Sequence, residues 1–194
     1  METDRLKTLE KKIYQSYFSD GFWDIFLGQF FLFMGIRTLV DNVWFTLFAL
    51  SAIPIFILGK WFITIPRLGM VKFGEVRKSR QRKLIGFILV AVIATSCLLF
   101  ISLTGYSFPA LVTGIFLGAG ITIVFLLMAY FMDFTRLYFY AFIFGISFSL
   151  NEIFWGNPIG PLAFILAGAS VLVIGLMLLV RFWMTYRLPQ SESF

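Results

Sequence analysis

The chain has 194 residues, 60% of them hydrophobic, 20% aromatic and only 13% charged, and it carries a net charge of +6. A soluble domain of this length needs far more polar surface, so the expectation is one membrane-embedded unit with no room for a second globular one. Histidine is absent, which removes imidazole-ligated zinc, histidine-ligated haem and every histidine-based triad; Cys97 is the lone cysteine, so no internal disulfide forms.

Residues 1–20 are polar and charged, unlike a cleavable signal peptide. Leu6, Leu9, Ile13 and Tyr17 recur at i, i+3, i+7 and i+11, the spacing of one helix face. Lys7, Lys11 and Lys12 flank that face, as in a helix lying on an anionic membrane surface. This segment is predicted to be a cytoplasmic amphipathic lead-in; its other reading is a docking helix for a cytoplasmic protein. No Gly follows Met1 and the last residues include no Cys, so neither myristoyl nor prenyl attachment is expected.

A transmembrane helix needs about 20 apolar residues. Six segments approach that length, over residues 21–40, 43–65, 84–104, 108–132, 137–155 and 159–182. The predicted fold is therefore all-α, a bundle of six transmembrane helices spanning 21–183, with a cytoplasmic tail at 184–194. Pro66 is expected to end the second span, because the residue before proline resists helix. Residues 65–74 then alternate apolar and polar groups with two glycines, a pattern for an ordered turn or short hairpin.

Basic residues set the orientation. Arg67, Lys72, Arg77, Lys78, Arg80, Arg82 and Lys83 crowd into the loop at 66–83, while Arg37 alone falls where the opposite face is expected. The positive-inside bias then puts both termini in the cytoplasm of a prokaryotic-type inner membrane. The same seven residues are candidate contacts for anionic lipid headgroups, worth about 1 kcal/mol per basic residue near the surface, or for a protein partner. A bare charge cluster that orients the chain is the simpler reading. No nucleic-acid-binding scaffold surrounds the positive charge, so nucleic acid is not expected as a partner.

Inside the predicted spans, Asp24, Gln29, Arg37, Asn151 and Glu152 form a candidate polar set. Charged groups at such depth are either paired or functional. Arg37 has Glu152 or its i+4 neighbour Asp41 as candidate partners, and Asp24 has Arg136 or Lys60. Asp24 and Glu152 lie toward opposite ends of their spans, too far apart along the helix rise for a carboxylate dyad or a dinuclear metal site. No metal or cofactor is expected.

Glycines mark the helix contacts. Gly21, Gly28 and Gly35 repeat every seven residues, as do Gly168 and Gly175, and Gly114 and Gly118 make a G-x-x-x-G. Small residues on one stripe let backbones approach closely, so each stripe is predicted to face another helix. Pro54 falls within the second span and is a candidate kink. Trp23, Trp44, Trp61, Trp155 and Trp183 fall near the predicted interfaces. An inverted repeat of three spans finds no convincing alignment between the halves.

The leading functional expectation is a non-enzymatic carrier or channel-like bundle for a small solute, ion or lipid. The alternative is a membrane subunit or regulatory protein that docks a cytoplasmic partner, or a second copy, through the lead-in helix and the basic loop. An intramembrane enzyme is the third reading: Ser96, Ser147 and Cys97 are conceivable nucleophiles, but none has an evident base.

Overall fold

The computed structural model describes residues 16–69, 75–103 and 109–186, and the side chains among them except those of 75–78 and 98–103. Among these residues the chain is all-helical, without strands. Helix α1 covers Phe22–Val40. The next apolar run is a continuous rod built from α2 (Trp44–Leu50), α3 (Ala52–Gly59), a π-helical turn at Lys60–Thr64 and α4 (Ile65–Leu68). Then come α5 (Glu75–Leu103), α6 (Ala110–Met132), α7 (Arg136–Ile153) and α8 (Ile159–Thr185).

Four of these elements are long and apolar enough to cross a membrane: Phe22–Val40, Trp44–Leu68, Ala110–Met132 and Ile159–Thr185. Their outward faces carry Trp44, Leu47, Phe62, Phe116, Leu166, Met177 and many other large apolar side chains in exposed positions. A soluble protein does not tolerate such continuous apolar surface, whereas lipid tails demand it. Helix α7 falls short in apolarity because Arg136 opens it and Asn151 and Glu152 close it. The apolar run of α5 follows a charged first stretch, Glu75 to Lys83, that is itself part of the helix.

Two of these features depart from the sequence expectation. The helix does not stop before Pro66 but continues to Leu68, with the proline in the first turn of α4. The π turn immediately before it widens the helix, and a proline ring is tolerated where the preceding turn no longer follows α geometry. The chain leaves helix at Gly69, with φ 76°. Further on, the basic residues from Arg77 to Lys83 are helical and continuous with the third apolar run rather than part of a loop. Residues 70–74, within the expected hairpin, and 1–15, which hold most of the expected amphipathic helix, lie outside the described residues.

The chain divides into two compact units, one formed by 1–72 with 168–194 and the other by 73–167. Helix α8 contributes to both, its first part to the second unit and the remainder to the first.

In the first unit, α1 and the second rod form an antiparallel hairpin through Asp41, which takes a left-handed conformation at φ 51°. Asn42 Oδ1 then accepts the Trp44 amide at 3.0 Å. The hairpin is filled by aromatic contacts: Trp23 against Phe56 at 4.9 Å and Phe26 against Phe56 at 5.7 Å between ring centroids. Phe22 covers Gly59 so closely that a Cβ there would fall 2.0 Å from the ring.

The opposite face of α1 meets α8. A Cβ on Gly28 would lie 2.3 Å from the Leu172 amide nitrogen, and one on Gly168 would lie 2.3 Å from that of Leu32. At Gly175 a Cβ would reach the Ile25 nitrogen at 2.6 Å, and at Gly21 the Gly175 carbonyl oxygen at 2.3 Å. Residue numbers rise along one helix as they fall along the other, so the pair is antiparallel. The two sequence stripes of period seven are therefore each other's partners. Gly21 has a second requirement, since its φ of 77° is open to glycine and closed to most L residues. Gly35 is buried on the same helix.

The second unit repeats the principle. Helices α6 and α7 join through a tight turn in which Asp133 adopts φ 51° and the Phe134 amide donates to the Ala129 carbonyl at 3.1 Å. A Cβ on Gly114 would lie 2.6 Å from Ile153 Cγ1, and one on Gly118 would lie 1.9 Å from Ser149 Oγ. From the facing helix, Gly145 meets Thr122 in the same way. Thr122 Oγ1 donates to its own helix at Gly118 O (2.8 Å) and lies 3.3 Å from Ala141 O across the interface. The predicted G-x-x-x-G thus lies in the α6–α7 contact. At its turn end, Arg80 of α5 pairs with Asp133 at 3.5 Å. Above that pair, Phe87 stacks on Phe131 with centroids 5.8 Å apart.

Replacing Gly28 by Val should force α1 off α8 and lower stability by about 1–3 kcal/mol, the usual cost of overpacking. Gly86→Ala is the control. Nothing lies within 4 Å of a Cβ at that exposed helical position, so the change should be neutral or raise stability by up to about 1 kcal/mol. Thermal melts in detergent distinguish them; equal losses in both variants would remove the close-contact account.

Candidate functional site

The most concentrated polar constellation lies at the end of the first unit where the chain enters α1. Asp20 is fully buried, with no exposed surface. Its Oδ1 accepts the Phe22 amide at 3.2 Å, at the N-terminus of α1, where the helix dipole favours a carboxylate. Its Oδ2 takes the Lys60 ammonium at 2.6 Å and the Thr64 hydroxyl at 2.5 Å. Both oxygens of the carboxylate are thus satisfied, as a buried charge requires.

Local structure explains the convergence. Lys60 and Thr64 are the first and last residues of the π turn, so its two ends present their polar groups to one carboxylate. Thr64 is completely buried and the Lys60 side chain is 18% exposed. The ammonium also donates to the Tyr17 carbonyl, and it stands 5.8 Å from the centroids of both the Phe18 and Phe56 rings. The Tyr17 hydroxyl donates to the Gly69 carbonyl. Residues 17–20 are thereby fastened to the C-terminal end of the second rod at several points.

Beside this cluster, Arg67 stacks its guanidinium on Trp183 of α8 at 5.3 Å and donates from Nη1 to the Ile63 carbonyl at 3.2 Å. The entry to α1, the exit of the second rod and the end of α8 therefore share one end of the first unit.

The five residues singled out in the sequence divide between the units. Asp24 is fully buried, one helical turn deeper along α1 than Asp20. Its stretch of backbone is the one that Gly175 abuts. Gln29 ties α1 to the second rod: Nε2 donates to Ser51 Oγ at 2.8 Å and to the Phe48 carbonyl at 3.1 Å. Ser51 Oγ donates to that same carbonyl at 2.7 Å. These bonds cluster at Ser51, where α2 gives way to α3 just before Pro54, so the polar side chains supply contacts at an interruption of regular helix.

Arg37 is half-buried near the far end of α1, and it makes no ion pair with Asp41 among the described residues. In the second unit, Asn151 packs against Gly160 of α8, where a Cβ would lie 2.5 Å from the Asn151 Cα. Its neighbour Glu152 is half-buried.

Of the basic residues, Arg80, Arg82 and Lys83 are exposed on the first turns of α5. Lys72 and the side chains of Arg77 and Lys78 lie outside the described part. Ser147, a conceivable nucleophile, spends its hydroxyl on the Ile143 carbonyl at 2.9 Å and approaches that of Ala163 at 3.3 Å. Cys97 is exposed on α5. Among the described residues no group of three or more Cys, Asp or Glu side chains is placed to hold a metal ion.

Sequence reasoning offered Lys60 as a partner for Asp24 and passed over Asp20 and Thr64. The available signal was their spacing: Lys60 and Thr64 are four residues apart in the otherwise apolar stretch from Ala52 to Ile65. Asp20 immediately precedes the first span.

Compared with protein-family models, curated proteins and solved structures, the chain matches none.

Asp20→Asn and Lys60→Met should each destabilise the protein by about 3–5 kcal/mol, the cost of stranding one member of a buried pair. The double variant should lose clearly less than the sum, because neither charge is left alone. Strictly additive losses in a thermal or denaturant-melt cycle would show that the two groups act independently.

Proposed function

We propose that this chain is a six-span integral membrane protein of a prokaryotic-type inner membrane and that it works as a non-enzymatic carrier or channel-like bundle for a small solute, ion or lipid. Support for two further spans comes from α5 and α7, whose long apolar stretches pack as antiparallel neighbours of α6. Each unit also gathers basic residues at one end. In the first, Lys60 and Arg67 accompany the entry of α1 and the exit of α8; in the second, Arg80 lies at the α6–α7 turn. Placing both of these ends at the cytoplasmic face satisfies the positive-inside bias and leaves both termini there. Reporter fusions following Val40, Leu103 and Ile153 should report the outer side, and fusions at Leu68, Met132 and Thr185 the inner side. Any inner report from the first group would break the six-span arrangement.

One observation carries the transport reading: Asp24 is a completely buried carboxylate within the first span. A carboxylate in a membrane span costs several kcal/mol unless its surroundings compensate it, and such groups commonly mark ion or substrate paths. Asp24 lies one turn further along α1 than Asp20, which accepts the Phe22 amide at the start of that helix. Gln29 lies further along the same helix, at the interrupted backbone of the second rod.

The test is reconstitution into liposomes with entrapped dyes for H⁺, Na⁺ and K⁺, alongside a fluorescent-lipid scrambling assay. The wild-type protein should move at least one of these faster than protein-free vesicles do. Asp24→Asn should reduce that flux by about tenfold or more in protein that still folds and reconstitutes. Equal flux in wild type and Asp24→Asn would reject this role for Asp24.

A further inference from the structure

We propose that Arg67 and Trp183 form the headgroup site of an anionic phospholipid. Arg67 stands one residue before the end of the membrane-length element Trp44–Leu68, and Trp183 lies in the last turn of Ile159–Thr185. Both side chains are therefore at the level where lipid phosphates occur and where tryptophan is enriched. The guanidinium stacks on the indole, its Cζ 5.3 Å from the ring centroid. Its Nη1 also donates to the Ile63 carbonyl at 3.2 Å, one turn back along the rod. These two contacts fix the plane of the guanidinium.

Its charge is left without an anion. Among the described residues Arg67 makes no ion pair, and its Nε is buried with no hydrogen-bond partner. The carboxylate of the adjoining cluster, Asp20, already receives Lys60, Thr64 and the Phe22 amide. A guanidinium carries several N–H donors, and the described residues supply a single acceptor, the Ile63 carbonyl. A half-buried cation short of both acceptors and counter-charge is costly at a membrane boundary.

A lipid phosphate supplies what is missing. Phosphate oxygens match the planar fork of a guanidinium, and a side chain already held by stacking loses little entropy on engaging them. Trp183 is 58% exposed, so the indole offers apolar surface to the glycerol and acyl portion beside the phosphate. A free phosphate ion would use the cation and leave that surface idle. A headgroup of net negative charge neutralises the guanidinium, whereas a zwitterionic one brings a cation of its own. The inference requires that the chain lie in a membrane and stands whether or not the protein transports.

The test mixes the full-length protein in mild detergent with equal amounts of phosphatidylglycerol and phosphatidylcholine of the same acyl chains. Native mass spectrometry reads which lipid is retained. The wild-type protein should hold phosphatidylglycerol in severalfold excess over phosphatidylcholine, and excess inorganic phosphate should not displace it. Arg67→Gln should bring the two lipids to parity. Arg67→Lys keeps the charge and loses the fork, so its preference should fall between the two; it also decides the matter if Arg67→Gln does not fold. Arg181→Gln removes an exposed cation two residues from Trp183 and should retain the wild-type preference. No preference in the wild type would overturn the proposal, as would an unchanged preference in the Arg67 variants. An equal loss in Arg181→Gln would overturn it by reducing the effect to unspecific charge, and displacement by inorganic phosphate by assigning the site to a free anion.

Discussion

Lipid tails are as apolar as leucine, so helices in a membrane gain little by burying apolar side chains against one another. They associate where backbones come close enough for dense packing, or where polar groups find partners. The rest of this architecture depends on the first kind of contact. Between α1 and α8, glycines from both helices bring backbone within reach of backbone, and a single methyl at any of four positions would collide with main-chain atoms. The contact joins the first of the membrane-length helices to the last, so it holds the segment that returns to the first unit against the helix that opens it. The α6–α7 hairpin applies the same device with Gly114, Gly118 and Gly145, adding serine and threonine hydroxyls that bond to backbone carbonyls.

Polar groups are placed where close packing alone leaves the backbone or the chain ends unsecured. Gln29 and Ser51 converge on the Phe48 carbonyl beside the break between α2 and α3. Asp20 secures the entry of α1, and Lys60 and Thr64 reach it from the second rod. A fully satisfied carboxylate at that position compensates its own desolvation and offers a helix N-terminus the charge it favours. Such a pair contributes less to net stability than its short distances suggest, but losing one partner is costly. The positions of residues 17–20 and of the second rod are therefore strongly coupled.

Much of this was legible in the sequence. Period-seven glycines identify a contact stripe because seven residues make almost two helical turns, and both stripes of that period proved to face one another. Which stripe pairs with which was not legible, since spacing reports a face and not its partner. The G-x-x-x-G of α6 lies against α7 for the same reason of close backbone approach. The charged ends were harder. Asp24 and Lys60 were visible as anomalies inside apolar runs, while Asp20 read as a residue of the polar lead-in. Its burial comes from the chain folding back across the end of the second rod, a tertiary event that leaves no local pattern.

The misread proline shows where local rules give way. Proline disfavours helix in the residue before it because its ring crowds the preceding backbone. Here the five residues from Lys60 to Thr64 form a π turn, and the helix resumes through Pro66 to Leu68. A wider turn relieves the crowding, but π geometry is unfavourable in isolation and persists where other contacts repay it. The residues at its two ends are the ones that bind Asp20, and Gly59, just before it, receives the Phe22 ring. The same turn therefore admits the proline, directs two polar side chains to one carboxylate and seats the start of α1. Local irregularity, buried charge and chain entry are one structural solution at this end of the molecule. A residue-by-residue reading of the second span, which offers Lys60 to Asp24 and treats Pro66 as a stop, separates features that the fold has joined.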